Sequence, residues 1–384
     1  MTRMAFPRAL AVLASVSALL AACGNHNGQP PASSGNAAPA PSICVDAPGV
    51  PAAMKSTRDK LAQLLMVGVK DGKDAKAVVI NHHVGGIFVG SWTDLSILTN
   101  GDLKGLVDTA GPLRLAVSVD EEGGRVSRLK KLIGAAPSAK ELAQTMTVDQ
   151  VYNFELDRGR KIAGAGFSID FAPVVDVTDA PDDSAIGDRS FGSDPDKVSA
   201  YAEASLRGLR DAGLTPVLKH FPGHGHGSGD THTGGVITPP LDQLKTNDLV
   251  PYRKLVTQPK VAVMVGHLQV PGLTGDDPAS LSPAAVQLLR TGTGYDAPPF
   301  DGPVFSDDLS SMGAISSKYG VPDAVLRALQ AGMDVALWVT TDEVPAVLDR
   351  LEHAVQTGEL PMQRVDESLI RVARMKGQGP GCPH

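Results

Sequence analysis

From position 61 onward the chain alternates short, nearly continuous apolar runs with longer stretches in which apolar residues recur every three or four positions. The apolar runs at 61–69, 84–89, 113–119, 168–175, 215–218, 261–265, 303–306 and 335–339 read as strands buried on both faces. The periodic stretches at 148–165, 198–212, 283–290, 321–331 and 344–356 read as helices that cover them. Eight such alternations predict a parallel sheet wrapped in helices, and their count and length fit a single (β/α)8 TIM barrel over 54–384. A doubly wound open sheet would carry a Gly-rich phosphate turn after its first strand. None follows Val69, and Gly123-Gly124 after the third strand lacks the third glycine.

The residues before the rhythm have a different character. Arg3 and Arg8 precede an apolar run at 9–22 that is short for a membrane span, which reads as an export signal over 1–22. It ends in Leu20-Ala21-Ala22-Cys23, which resembles the lipobox of bacterial lipoproteins. That resemblance implies cleavage before Cys23 and its acylation, hence a protein lipid-anchored to the outer face of the cell membrane. Residues 23–53 are rich in Gly, Asn, Pro, Ala and Ser with almost no charge, the composition of a disordered tether. Once Cys23 is set aside two cysteines remain, Cys44 and Cys382. In an oxidising compartment this even count invites a disulfide joining the ends of the barrel. A net charge of -7 leaves no electrostatic footprint for nucleic acid. With 4% aromatic residues the core must be aliphatic.

Polar residues gather just past the predicted strands. Asp120 follows the third, with Arg128 close behind; Asp176 ends the fourth and Arg189 lies in its loop; Lys219-His220 ends the fifth, His267 follows the sixth and Asp307-Asp308 the seventh. In a barrel these positions share one face and surround one pocket. After Lys219 the chain loses its periodicity and becomes Gly-rich, with His220, His224, His226 and His232 around Asp230. Carboxylates, ammonium, guanidinium and imidazole groups converging this way suit a polyhydroxylated ring, which charge-assisted hydrogen bonds hold well.

Four motifs then occur in order: Asp120-Glu121-Glu122-Gly123-Gly124-Arg125, Phe171-Ala172-Pro173-Val174-Val175-Asp176, Lys219-His220-Phe221-Pro222-Gly223-His224-Gly225 and Phe305-Ser306-Asp307-Asp308. Together they resemble glycoside hydrolase family 3 in its single-domain β-N-acetylglucosaminidase (NagZ) branch, over about 61–374. The resemblance implies a retaining mechanism in which Asp307 is the nucleophile. It implies that His232, held by Asp230, is the acid/base, and that Asp120, Arg128, Arg189, Lys219 and His220 bind the sugar. It implies no cofactor and no metal. The expected partner is a glycan or muropeptide carrying terminal N-acetylglucosamine. Asp308 reads as structural, His224 as shaping the loop base, and Gly227 and Gly229 as hinges that let the loop swing.

The chain departs from the family pattern in three places. Thr231 stands between Asp230 and His232, His226 is an extra imidazole, and Ser310-Ser311-Met312 is one residue longer than usual. Two other readings of the same residues stay open. One is a metal-dependent hydrolase with His224, His226, His232 and Asp230 as zinc ligands; the other is a sugar-binding lipoprotein without turnover.

Overall fold

The protein's structure, a computed structural model, describes residues 47–54, 56–109 and 113–377. The export signal, Cys23, Cys44 and Cys382 lie outside the described residues, so the lipidation and disulfide expectations are not addressed by it. Among the described residues no helix is long and apolar enough to cross a membrane.

Eight parallel strands form one sheet in chain order: β1 Leu65–Gly68, β2 Gly86–Val89, β3 Ala116–Val119, β4 Ile169–Asp170, β5 Thr215–Phe221, β6 Ala262–Val265, β7 Val304–Ser306 and β8 Ala336–Trp338. Strand β8 pairs with β1 through Leu65 and Ala336. The ring closes between β7 and β8 at a single bridge, Phe305 to Val335, supported by the Ser306 amide donating to the Val335 carbonyl at 3.0 Å. Phe171 spans the interior, its ring 5.7 Å from Phe88 and 5.6 Å from Phe305. This aromatic layer floors whatever lies at the C-terminal strand ends.

Each predicted strand is present, with shifted limits. Leu61 and Ala62 belong to the helix Thr57–Ala62, started by the Ser56 side chain, rather than to β1. Only the buried Gln63 interrupts the apolar residues between the helix and the strand, so the two read as one apolar run. Strand β4 stops at Asp170, leaving Val174 to bridge Lys219, while β5 runs on to Phe221. Residues 47–53, which their composition assigned to the tether, form a 3-10 turn and the short helix Val50–Ala53; burial of Val50 and Pro51 holds them to the body.

Helices cover the barrel. Val148–Gly164 begins with a capping box made by Thr147 and Gln150, and Pro195–Asp211 with the Asp194 cap followed by proline. These two helices touch closely at Gly208, where a Cβ would stand 2.7 Å from the Tyr152 carbonyl. Toward the barrel the first of them buries Glu155 and Arg158. Burial pushes the Glu155 carboxyl up to about 7, against the opposing pull of Arg158.

Asp334, fully buried just before β8, fastens the closure. It accepts from the Val304 amide of β7 at 3.0 Å and from Ser368 Oγ at 2.7 Å, and it meets the guanidinium groups of Arg290, Arg364 and Arg371. Asp334→Ala strands three cations and an amide, and should cost roughly 3–5 kcal/mol in urea unfolding; an unchanged midpoint would refute this role. Glu155 supplies a pH test. Its folded pKa lies above its unfolded one, so its contribution is fully present below about 4.5 and is lost as pH rises through about 7. Glu155→Gln should therefore flatten the fall in stability across that window, by on the order of 3 kcal/mol, when unfolding is compared at pH 5 and pH 8.

Candidate functional site

The site begins where β3 runs out. Alternation along the extended chain separates Glu121 from its neighbours. Glu121 turns into the body and accepts from the Leu129 amide at 2.6 Å, from Ser127 and from Arg158. Asp120 and Glu122 turn to the barrel mouth, where they meet Lys219 Nζ at 2.6 and 2.5 Å. Lys219 is only 2% exposed. Burial opposes its charge, but Asp120 and Glu122 outweigh burial and hold the ammonium above the usual lysine range. Glu122 is likewise buried and kept well below the usual carboxylate range by Arg189 and Lys219. Arg189 grips it with Nε and Nη2, both at 2.8 Å.

The pairing of β5 with β6 shifts register between Leu218 and Phe221, and the adjacent residues Lys219 and His220 both face the pocket. Buried Asp176 accepts from His220 Nδ1 at 2.7 Å and from the His224 amide at 2.7 Å. That leaves His220 Nε2 as the acceptor toward Arg189 Nη2, 3.4 Å away. Burial disfavours ionisation of Asp176, yet His220 and the His224 amide prevail and hold its carboxyl down.

Strand β7 delivers Asp307, half-buried at the pocket floor. Burial raises its pKa, but His267, His220, the Asp308 amide at 2.9 Å and Lys219 together bring it below the usual range. Asp308 accepts from the amides of Ser310 and Ser311 at 2.8 and 3.1 Å, and from both hydroxyls. His267 donates through Nε2 to the Asp308 carbonyl at 2.7 Å, with Ser280 Oγ at 2.6 Å from Nδ1.

The Gly-rich loop leaves β5 beneath the Val177 carbonyl, from which a Cβ on Gly225 would stand 1.9 Å. His226 anchors it through Nδ1 to buried Asp248 at 3.0 Å, a bond that raises the imidazole's pKa. Farther out, the Thr231 and His232 carbonyls accept from the Ala314 and Gly313 amides, both at 3.1 Å, just past β7. Asp230 Oδ1 accepts from His232 Nδ1 at 2.7 Å and from the His232 amide at 2.9 Å. Burial works against the Asp230 charge, but these two donors lower its pKa. The His232 side chain is 66% exposed.

Asp120, Arg128, Arg189, Lys219, His220, Asp230, His232 and Asp307 all line one cavity of about 290 Å³ at the C-terminal strand ends. Two larger cavities, about 560 and 530 Å³, border Lys376 at the opposite end of the barrel and hold none of these groups. The zinc-site expectation is not met by the donors. His226 is turned to Asp248, His224 packs on His220, and among the described residues no three His, Cys, Asp or Glu side chains are grouped to hold a metal ion.

Residues 56–375 match the glycosyl hydrolase family 3 N-terminal domain. This chain belongs to glycosyl hydrolase family 3. Beta-hexosaminidase LpqI of Mycobacterium tuberculosis (strain ATCC 25618 / H37Rv) is 67% identical to it over 389 residues, covering 99% of this chain and 100% of that protein. The solved structure of M. tuberculosis LpqI matches with a TM-score of 0.87 at 70% identity, over 88% of this chain and 98% of that one. A family 3 β-N-acetylglucosaminidase from Paenibacillus sp. str. FPU-7 matches with a TM-score of 0.78 at 29% identity, over 86% of this chain and 64% of that one.

Within this family 3 site the sequence left several partners without a role. Glu122 shares Lys219 with Asp120, and Asp176 orients His220. Arg125 is the centre of the loop that carries Arg189. Its Nη1 donates to the Asp182 carbonyl at 2.8 Å, and its Nη2 to the carbonyls of Ser184, Ala185 and Ile186 at 2.5, 3.1 and 3.0 Å. Its Nε lies 3.3 Å from Asp188 Oδ1. The only sequence hint is an arginine beside two glycines. Arg125→Lys removes the fork that gathers these carbonyls. It should raise KM roughly tenfold while kcat changes little, the equivalent of one lost charge-assisted hydrogen bond. An unchanged KM would show that Arg189 keeps its place without the clamp.

Proposed function

We propose that this glycosyl hydrolase is a retaining exo-β-N-acetylglucosaminidase that removes terminal non-reducing β-linked N-acetylglucosamine, with peptidoglycan fragments as the source. The observation carrying the proposal is that the Asp230–His232 pair and Asp307 open onto the same cavity from different strands. The names of the relatives, beta-hexosaminidase and β-N-acetylglucosaminidase, support the aminosugar.

In this reading Asp307, ionised because its surroundings hold its pKa down, attacks the anomeric carbon and forms a glycosyl ester. His232 gives a proton to the departing oxygen and, now neutral, takes one from the water that cleaves the ester. Asp230 fixes the ring through Nδ1, leaving Nε2 for transfer, and stabilises the imidazolium. Lys219, Arg189, Arg128 and His220 contact the sugar hydroxyls, and Asp120 accepts from them. The short 290 Å³ cavity suits one ring at a chain end rather than cleavage within a chain. Export and lipid attachment at Cys23 would place this chemistry on the outer face of the membrane, beside the wall.

The test is turnover of aryl N-acetyl-β-glucosaminide against aryl β-glucoside. The aminosugar should be strongly preferred, Asp307→Asn should lose at least roughly 10³-fold in kcat, and a mechanism-based fluoro-sugar should label Asp307. His232→Ala should lose about 10²–10⁴-fold on a sugar leaving group and much less on nitrophenolate, which leaves without a proton. Equal losses of kcat/KM on both, which reports the step that expels the leaving group, would remove His232 from the acid role. No turnover by the unaltered protein would leave only a sugar-binding function.

A further inference from the structure

Trp92 stands at the mouth of the cavity, and nothing in the reaction above uses it. It follows β2 and lines the same cavity as Asp307 and His232. Trp92 is 46% exposed, the one aromatic residue among the exposed large hydrophobic residues described. The chain holds only two tryptophans, and the other, Trp338, is fully buried in β8.

The indole is held in place. Thr93 Oγ1 accepts from the Gly90 amide at 3.0 Å and donates to the Val69 carbonyl at 2.7 Å, closing a tight turn around positions 90–93. The ring lies over Gly90 so closely that a Cβ there would stand 2.3 Å from it, and its edge meets Phe88 at a centroid distance of 5.8 Å and 60°. A large apolar surface left facing water on a rigid turn, at the entrance to a polar pocket, is unusual unless something covers it.

Resting on the exo-glycosidase reading, we propose that Trp92 is the stacking platform for the second sugar ring, the residue that leaves. The cavity has room for one ring, and its charged groups line that space. Everything attached beyond the first ring must pass out through the mouth. A pyranose presents one face of C–H groups, and a half-exposed indole fixed beside the cavity offers that face apolar contact without competing for hydroxyls. Trp92 then selects glycan leaving groups over small ones and adds no affinity for the terminal sugar itself.

The experiment compares N,N′-diacetylchitobiose as substrate with free N-acetylglucosamine as inhibitor. Trp92→Ala should lower kcat/KM for the disaccharide about tenfold, in the range of alanine substitutions at stacked rings, and leave the inhibition constant of the monosaccharide within about twofold. Trp92→Phe should recover most of the loss. Because Trp338 is buried, acrylamide quenching reports Trp92 directly. In Asp307→Asn, which binds without turnover, the disaccharide should shield it and the monosaccharide should not. An equal loss for both sugars would place Trp92 against the first ring and overturn the proposal. So would unchanged disaccharide turnover, or quenching indifferent to saturating disaccharide. Absence of turnover of both the disaccharide and the aryl N-acetyl-β-glucosaminide by the unaltered protein would defeat the exo-glycosidase reading and this proposal together; turnover of the aryl glycoside alone, or failure confined to the Trp92 variants, overturns only this proposal.

Discussion

The site depends on one buried ammonium. Lys219 can stay charged at the barrel's centre only because Asp120 and Glu122 reach it together, and they reach it together because alternation along one extended segment puts both on the same side. Glu122 in turn is tolerable only with Arg189 on its other side. Charge is thus neutralised stepwise across β3, the loop after β4 and β5 before any ligand arrives. Removing one member of such a set leaves its partners buried and unpaired, a cost of roughly 3–5 kcal/mol. Binding and stability are therefore coupled here: a change at Asp120 takes away a hydroxyl acceptor and also strands Lys219. The compensation is preorganisation, because donors already fixed by one another need little reorganisation when a sugar hydroxyl replaces water.

The Gly-rich loop of the site is tied down differently. Its contacts to the segment past β7 are backbone to backbone, Gly313 and Ala314 amides to the His232 and Thr231 carbonyls. Such bonds impose no side-chain identity, but they require the two segments to approach within about one hydrogen bond's length. At Gly313 a Cβ would stand 3.1 Å from the His232 carbonyl, so the approach uses the missing side chain. Here the run Ser310-Ser311-Met312 acquires meaning. Asp308 gathers both serines into a tight turn, which keeps Asp307 where β7 places it and lets the following amides meet the loop.

How much of this could be read from the chain follows from what kind of group makes each contact. Strands buried on both faces have nowhere to put a polar residue, so eight short apolar runs announced themselves, and polar residues just past them had to be at the mouth. The errors fall where two buried elements abut, as at Leu61–Leu64, or where a low-charge segment still buries one valine, as at Val50. Within the site, the charged side chains expected to meet the sugar were legible, while Glu122 and Asp176, which hold them, were left without a role. Arg125 was not legible, because most of its acceptors are backbone carbonyls, which every residue possesses and no pattern marks. The service of His226 was hidden for the opposite reason: its partner Asp248 is legible as an acid but lies 22 residues on, with no periodicity joining them.

The crowd of imidazoles, which left a metal site open as an alternative, is better understood by asking what each Nδ1 does. His220 gives it to Asp176, His226 to Asp248 and His232 to Asp230, so three carboxylates orient three rings in three directions. Metal-bound histidines are commonly oriented the same way, so the pairing alone does not distinguish a ligand from a proton carrier. Exposure and neighbours do. His220 is buried with Arg189 against its other nitrogen, and His224 is buried, where desolvation first and His220 second lower its pKa. His226 sits at the loop base. Only His232 combines a carboxylate on one nitrogen with a largely exposed ring at the cavity wall, which is what proton exchange first with a leaving group and then with water demands.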